Sequence, residues 1–146
     1  MSENLNKLFS PVLVIEDLSD STKTIDKYDT GKIFTLSRAL GITISLPNVA
    51  DVESGFFVRF VVKVAPTNGS GIGYLINVTS GDGDNLHGTV VVSEDTAGGS
   101  TSGTATDVVT FVKASAEIGD FVDLTTDGTY WYASGHASLA ASLTYT

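Results

Sequence analysis

Cysteine is absent from this chain of 146 residues, and no apolar run approaches the roughly 20 residues that a membrane-spanning helix needs. Without thiols there is no cysteine nucleophile, thiolate metal site or disulfide. The first residues lack the basic start and long apolar stretch of a secretory signal, so we expect a soluble protein made in the cytoplasm. A domain of this size buries roughly 68–70% of the surface that its unfolded chain exposes, so its core needs no covalent staple.

Basic residues are scarce, and they are unevenly placed. The formal net charge is −9, and residues 81–146 carry Lys113 alone against nine Asp and Glu. Binding to a phosphate backbone depends on Lys and Arg, so direct nucleic-acid binding is excluded as a function class. The acidic half is interpreted either as a well-solvated surface or as a surface attracted to a basic partner.

Helical periodicity is also missing, whereas a period of two recurs along the chain. Alternating apolar positions 56–64 predict a strand with one wholly apolar face, which is typical of a sandwich or barrel wall. We predict an all-β fold: a β-sandwich or jelly-roll-like domain of about eight to ten short antiparallel strands at 21–146, with an extended N-terminal arm at 1–20. The strand candidates are 23–27, 32–37, 42–46, 56–64, 73–79, 86–93, 107–113, 120–126, 129–134 and 139–145.

The clearest local signal is a hairpin at Asp127-Gly128, a dipeptide that favours a type I′ turn. Trp131 follows it, with a tyrosine on each side. Alternation places Trp131 on one face of its strand and Tyr130 and Tyr132 on the other. Trp131 is interpreted as sandwich core together with Phe60, and the alternative is an aromatic platform for a ligand.

The first twenty residues contain many apolar side chains but no clean period. They are interpreted either as an edge strand with a frayed start or as an arm that docks on a neighbouring subunit, because so much apolar surface tends to be tied down. The residues predicted to form this capsid or oligomer interface are Leu5, Leu8, Phe9, Val12 and Val14.

No catalytic or metal-binding motif is visible. His87 and His136 are far apart and lack a nucleophile setting, so both are interpreted as structural. Two carboxylate pairs, Asp82 with Asp84 and Asp120 with Asp123, could in principle serve glycoside hydrolysis or, for the first pair, hold calcium. Turn formation is the simpler role of acids in such loops. We therefore predict a protein that is not an enzyme and uses no cofactor or metal.

Several phrases of the sequence resemble small virion proteins of tailed bacteriophages. The similarity spans roughly residues 30–146 and consists of turn glycines and core positions. It is carried by the segments 44–47, 55–60, 64–67, 88–90, 107–111, 119–124, 127–135 and 136–146.

This resemblance implies a head decoration (cement) protein, often a trimer, that binds the outer surface of the capsid and stabilises the lattice of the major capsid protein. The expected location is therefore the exterior of the virion, after synthesis in the host cytoplasm. The family carries no catalytic residues. Two further hypotheses are a tail fibre, spike or carbohydrate-binding β-domain, and a small glycosidase or lyase.

Overall fold

The chain folds into two facing β-sheets, as a computed structural model describes for residues 13–67, 71–78, 86–93 and 100–146. The larger sheet has the strand order β1-β3-β5-β10-β11-β7-β8, and the smaller has β12-β9-β6-β4-β2. The strands are β1 (Ile15–Leu18), β2 (Thr22–Thr24), β3 (Ile33–Leu36), β4 (Ile42–Ser45), β5 (Phe57–Val62), β6 (Tyr74–Asn77), β7 (Leu86–Val92), β8 (Ser100–Thr106), β9 (Val108–Phe111), β10 (Phe121–Thr126), β11 (Trp131–Ala137) and β12 (Leu143–Tyr145).

The all-β class is therefore confirmed, whereas the prediction of antiparallel sheets is wrong. Strands β1 to β6 alternate between the sheets, so that β1, β3 and β5 pair in parallel in one sheet, as β2, β4 and β6 do in the other. This part is a short stack of three coils, each with one strand per sheet. The second half adds antiparallel pairs such as β10 with β11. The connections do not confirm a jelly-roll-like topology.

Each predicted strand segment overlaps a strand of the structure, and two strands were not predicted as part of the domain. Strand β1 lies in the segment assigned to the arm, where it forms an edge of the larger sheet. Strand β8 lies in a stretch of Gly, Ser and Thr that we interpreted as part of a loop. Its backbone pairs with β7, so ladder hydrogen bonds outweigh the low strand propensity of its glycine.

The core lies between the sheets and is built from the inward-facing residues of both. In β5 the burial alternates strictly, with Val58, Phe60 and Val62 buried. Phe60 stacks on Phe34 of the neighbouring coil with ring centroids 5.3 Å apart. Trp131 is fully buried and meets Phe56 edge to face at 5.7 Å.

The β10–β11 hairpin is present, but its turn is not type I′. Thr126 pairs with Trp131, which leaves a loop of four residues, 127–130. A type I′ turn needs positive φ at both central residues, whereas only Gly128 of this loop has one, at 91°. The Asp127 carboxylate instead accepts the backbone N–H groups of Thr129 and Tyr130 at 2.8 and 3.0 Å, and this local bonding selects the longer loop.

Connections from the larger to the smaller sheet, which we call arches, stack in backbone contact. Gly41, before β4, has φ 91°, and a Cβ there would lie 2.4 Å from the carbonyl oxygen of Gly73 in the next arch. A Cβ on Gly71 would lie 2.0 Å from the carbonyl oxygen of Leu40. Glycine is thus required where the arches meet.

Tyr74 adds a hydrogen bond beside this contact. Its hydroxyl donates to the carbonyl of Val64 at 2.6 Å, and burial raises the pKa of Tyr74 to about 12.

We expect Gly41→Ala to destabilise the fold much more than Gly128→Ala, although φ is 91° at both positions. Nothing lies within 4 Å of a Cβ built on Gly128, so that variant loses about 1–2 kcal/mol from the left-handed conformation alone. Gly41→Ala adds an overpacking cost of about 1–3 kcal/mol, because the next arch must move. Urea denaturation of both variants measures the difference, and equal losses would contradict close packing of the arches.

Candidate functional site

The first candidate surface is the solvent side of the larger sheet, which we call the outer face. Along β5, β10 and β11 its residues alternate with buried core positions, so they project away from the smaller sheet. Many of them are apolar or aromatic, and they are half-buried or exposed rather than covered. They include Ile33, Phe57, Val61, Val91, Phe121 and Tyr132.

A stacked cluster of charged and aromatic side chains occupies the middle of the outer face. The Arg59 guanidinium binds both carboxylate oxygens of Asp123, at 2.5 and 2.7 Å, and lies 4.6 Å from the ring centroid of Phe121. The hydrogen bond to Asp123 raises the pKa of Arg59. His136 stacks on Phe121 with ring centroids 5.0 Å apart. This cluster holds large side chains in fixed positions at the surface.

A second ion pair, between Lys63 and Asp17, lies on the outer face near the β1 edge of the sheet. Asp17 accepts hydrogen bonds from Thr35 at 2.7 Å, from Lys63 at 3.0 Å and from Ser37 at 2.9 Å, and these bonds lower its pKa. In each of the pairs Lys63–Asp17 and Arg59–Asp123, one positive charge is balanced by one negative charge. In a chain with a net charge of −9, these pairs leave the outer face locally neutral.

The open side of the sandwich at the first coil is covered by a charged cluster, which we call the charged cap. Lys23 lies 2.6 Å from Glu16, and Lys32 lies 3.0 Å from Glu16 and 2.6 Å from Asp29. Both ammonium groups sit over the buried ring of Phe34, at 5.5 and 5.9 Å from its centroid. The first coil therefore ends the core with ion pairs rather than with another apolar layer.

These contacts shift the titration of the charged cap. The hydrogen bond from Lys23 lowers the pKa of Glu16 against the opposing effect of burial. Burial raises the pKa of Asp29, but the hydrogen bonds from Lys32 and from the backbone N–H of Asp26 outweigh it, and the net pKa is lowered. The two carboxylates raise the pKa of Lys32 to about 12. Glu16, Asp29 and Lys32 are therefore charged at neutral pH.

The predicted interface residues lie at the start of the chain, where the structure describes them in part. Leu5, Leu8, Phe9 and Val12 lie outside the described residues. Val14 is exposed, as are its neighbours Leu13 and Ile15. Ile15 pairs with Ile33 in the sheet, so this apolar segment continues the outer face at its edge.

The predicted fold-motif residues divide between core and turn. Phe60 and Trp131 are fully buried, whereas Asp127 and Gly128 form the hairpin loop. Trp131 therefore offers no surface to a ligand. Its neighbours Tyr130 and Tyr132 are exposed, and the Tyr132 hydroxyl donates to Asp127 at 2.9 Å.

The carboxylates and histidines considered for catalysis have structural partners. Asp120 is buried and accepts from the backbone N–H and hydroxyl of Ser138, both at 2.7 Å, so it ties a loop to β10. Asp123 is engaged by Arg59. The two histidines pack against aromatic rings, His87 edge-on to Tyr130 at 4.9 Å. Asp82 and Asp84 lie outside the described residues, and within the described part no group of three potential metal ligands comes together.

Sequence reasoning missed one concave feature, a groove of about 510 Å³ between two consecutive connections that return the chain to the larger sheet. Its rim carries Tyr28, which is 77% exposed. The signal was present in the sequence as an aromatic residue inside the polar stretch 26–31, with aspartates at 26 and 29 in the spacing of a capped turn.

We expect the free energy of unfolding to fall as the pH drops below the ordinary pKa values of the cap carboxylates, 4.5 for Glu16 and 3.8 for Asp29. A carboxyl whose pKa is lower in the folded state stabilises the fold above its unfolded pKa, and this contribution is lost as the pH falls through the folded pKa. Asp29→Ala should lose about 2 kcal/mol at neutral pH and flatten part of the acid slope.

Urea denaturation at a series of pH values measures both effects. Asp20→Ala is the matched control, because Asp20 is an exposed residue of the same coil with no hydrogen bond or ion pair in the described structure. A similar loss and slope for both variants would contradict the role assigned to the charged cap.

Comparisons of the chain with family models, with curated proteins and with solved structures find no match. Among the described residues, no helix is long and apolar enough to cross a membrane. The candidate functional surfaces of the described residues are the outer face, the apolar segment beside it, the charged cap and the groove at Tyr28.

Proposed function

We propose that this chain is a capsid decoration (cement) protein of a tailed bacteriophage, which binds the outer surface of the head and stabilises the lattice of the major capsid protein. The observation that supports this most directly is the neutral, partly apolar outer face, joined at its edge by the exposed segment 13–15. Such a face is a surface for association in an otherwise acidic chain. The resemblance of residues 30–146 to virion proteins favours a capsid protein as the partner.

The outer face is the proposed contact between protomers of a homotrimer. Its cations and carboxylates are already paired within one chain, so two acidic copies can approach there with little repulsion. Seven strands spaced about 4.8 Å apart and about five residues long give a face on the order of 500 Å². That projected area is of the same order as the roughly 800 Å² of accessible surface that each partner buries in a standard interface.

The arm, with the segment 13–15 at its base, is the proposed contact with the capsid. A subunit that binds only the mature lattice shifts the equilibrium towards that lattice, because selective binding stabilises the state that is bound. Three arms on one trimer add avidity, since each further contact forms at a high effective concentration. This mechanism needs a rigid scaffold and no active site.

We expect the purified protein to be a trimer that Val61→Glu dissociates into monomers. Val61 lies on the outer face between Thr35 and Phe121, and an added carboxylate there would give each of the apposed faces an unbalanced negative charge. Leu75→Glu is the control, because Leu75 is a half-buried outward residue of the smaller sheet. Light scattering after size exclusion gives the masses. A monomeric wild type, or dissociation by the control variant alone, would contradict the proposed contact.

In purified virions, we expect this protein at a copy number close to that of the major capsid protein, as quantitative mass spectrometry would measure it. A copy number lower by an order of magnitude would instead favour a tail fibre or spike. Absence from the particle would contradict both virion roles.

A substitution in the apolar segment tests how the protein attaches. Leu13→Asp should lower retention on capsids, whereas Ile118→Asp should not, although the two side chains are 64% and 71% exposed. Ile118 lies in the connection between β9 and β10, outside the segment 13–15. Equal retention of both variants would remove this segment from the capsid contact.

A further inference from the structure

The groove at Tyr28 is formed by the stacking of two coils. One wall is the connection between β2 and β3, which supplies Lys27, Tyr28 and Thr30, and the other is the connection between β4 and β5, which supplies residues 50–56. Its volume of about 510 Å³ lies within the range of roughly 300–1,000 Å³ that is common for small-molecule sites. Phe56 lines the groove and is also packed against the core residue Trp131, so the groove lies directly next to the core.

The turn that carries Tyr28 is fixed in place. Asp26 accepts the backbone N–H of Tyr28 at 2.7 Å, and the buried Asp29 accepts the backbone N–H of Asp26 at 3.0 Å. The Lys27 ammonium lies 5.2 Å from the centroid of the Tyr28 ring. Because the backbone that carries the exposed Tyr28 ring is already ordered, a ligand that stacks on the ring does not have to order the turn.

The opposite wall is held just as firmly. The Gly55 N–H donates to the carbonyl of Thr126 at 2.7 Å, and the Phe56 N–H donates to the carbonyl of Glu53 at 3.0 Å. The Thr30 hydroxyl accepts the N–H of Phe57 at 3.2 Å, which joins the two walls. The groove is therefore largely formed before any ligand arrives.

The polar groups along the groove select the chemistry of the ligand. Asp51, Glu53 and Ser54 are exposed on one wall, and Tyr28 and Lys27 on the other. Two carboxylates against one ammonium disfavour a phosphate or another anion. A pyranose ring presents an apolar C–H face for stacking and hydroxyl groups at its edge that carboxylates accept. With these two features it matches an aromatic ring that faces hydrogen-bond acceptors.

We infer that the groove between residues 27–30 and 50–56 binds a neutral saccharide, which stacks on Tyr28 and donates hydroxyl hydrogen bonds to Asp51 and Glu53. This binding is separate from the proposed trimer and capsid contacts, because no residue of the outer face and no described residue of the arm lines the groove. It gives the protein a recognition function in addition to a structural one.

The test is a titration of the free, ¹⁵N-labelled protein with four neutral trisaccharides, maltotriose, cellotriose, mannotriose and N,N′,N″-triacetylchitotriose, followed by amide chemical shifts. At least one of them should give saturable shifts centred on 27–30 and 50–56. Tyr28→Ala should weaken that binding at least tenfold. The matched control is Tyr132→Ala, which removes another exposed tyrosine, 40% exposed on the outer face, and should bind like the wild type.

Asp51→Asn and Glu53→Gln should each weaken binding several-fold while the spectrum stays that of the folded protein, which keeps the test valid even if Tyr28→Ala does not fold. Saturable shifts with none of the four sugars would overturn the inference. Equal weakening by Tyr28→Ala and Tyr132→Ala would also overturn it, as would saturable binding of choline with no response to sugars. The virion copy number is measured separately, so failure of one proposal leaves the other standing.

Discussion

The close contact between successive arches is the constraint on which the rest of the structure depends. Gly41 and Gly73 meet through backbone atoms alone, and this contact fixes the spacing of two coils. With that spacing set, β3 and β5 lie side by side in one sheet, and β4 and β6 in the other. The same spacing separates the two connections that line the groove on the opposite side, and each of these connections carries a short 3₁₀ turn. One steric contact thus sets the geometry of both the core and the groove.

Charge is distributed according to what each surface must do. On the outer face, cations and carboxylates are paired within the chain, and aromatic rings stack between them. In the charged cap, ion pairs cover an aromatic ring at the end of the core. Surface ion pairs contribute little to stability, with a median of about 0–1 kcal/mol, so the value of the outer pairs lies in neutrality rather than in strength. The cap differs because Asp29 is buried and also caps a turn.

Most of the described strands were predictable, because alternation along 56–64 and around Ile42 and Ile44 reports directly which side chains are buried. The topology was not, since a period of two is the same for a strand in a parallel coil and in an antiparallel hairpin. The coils also differ in length. One coil runs from Ile15 to its register partner Ile33, and the next runs from Ile33 to its partner Arg59, so no repeat is visible in the sequence. Burial of Phe60 and Trp131 followed from their pattern. The turn at Asp127 did not, because side-chain hydrogen bonds decided it.

The site was less accessible to sequence reasoning than the fold. An exposed tyrosine and an exposed pair of acids are ordinary in loops, and what matters at Tyr28 is that two connections separated by about twenty residues come to face each other. That juxtaposition is a product of coil stacking, which the sequence did not reveal. The outer face was partly predictable, since Phe57, Arg59 and Val61 alternate with the core, but the pairing of Arg59 with Asp123 joins strands 64 residues apart.

The charged cap also limits how far the architecture can grow. A stack of coils with open parallel edges is a template for fibres, since any chain of matching period can add a further strand to β1 or β2. An added coil would remove Glu16, Lys23 and Lys32 from water and enclose them in a dry interior, at a desolvation cost of several kcal/mol per ion. The ion pairs that close the core therefore also act against end-to-end polymerisation, a property that matters for any protein present at high local concentration.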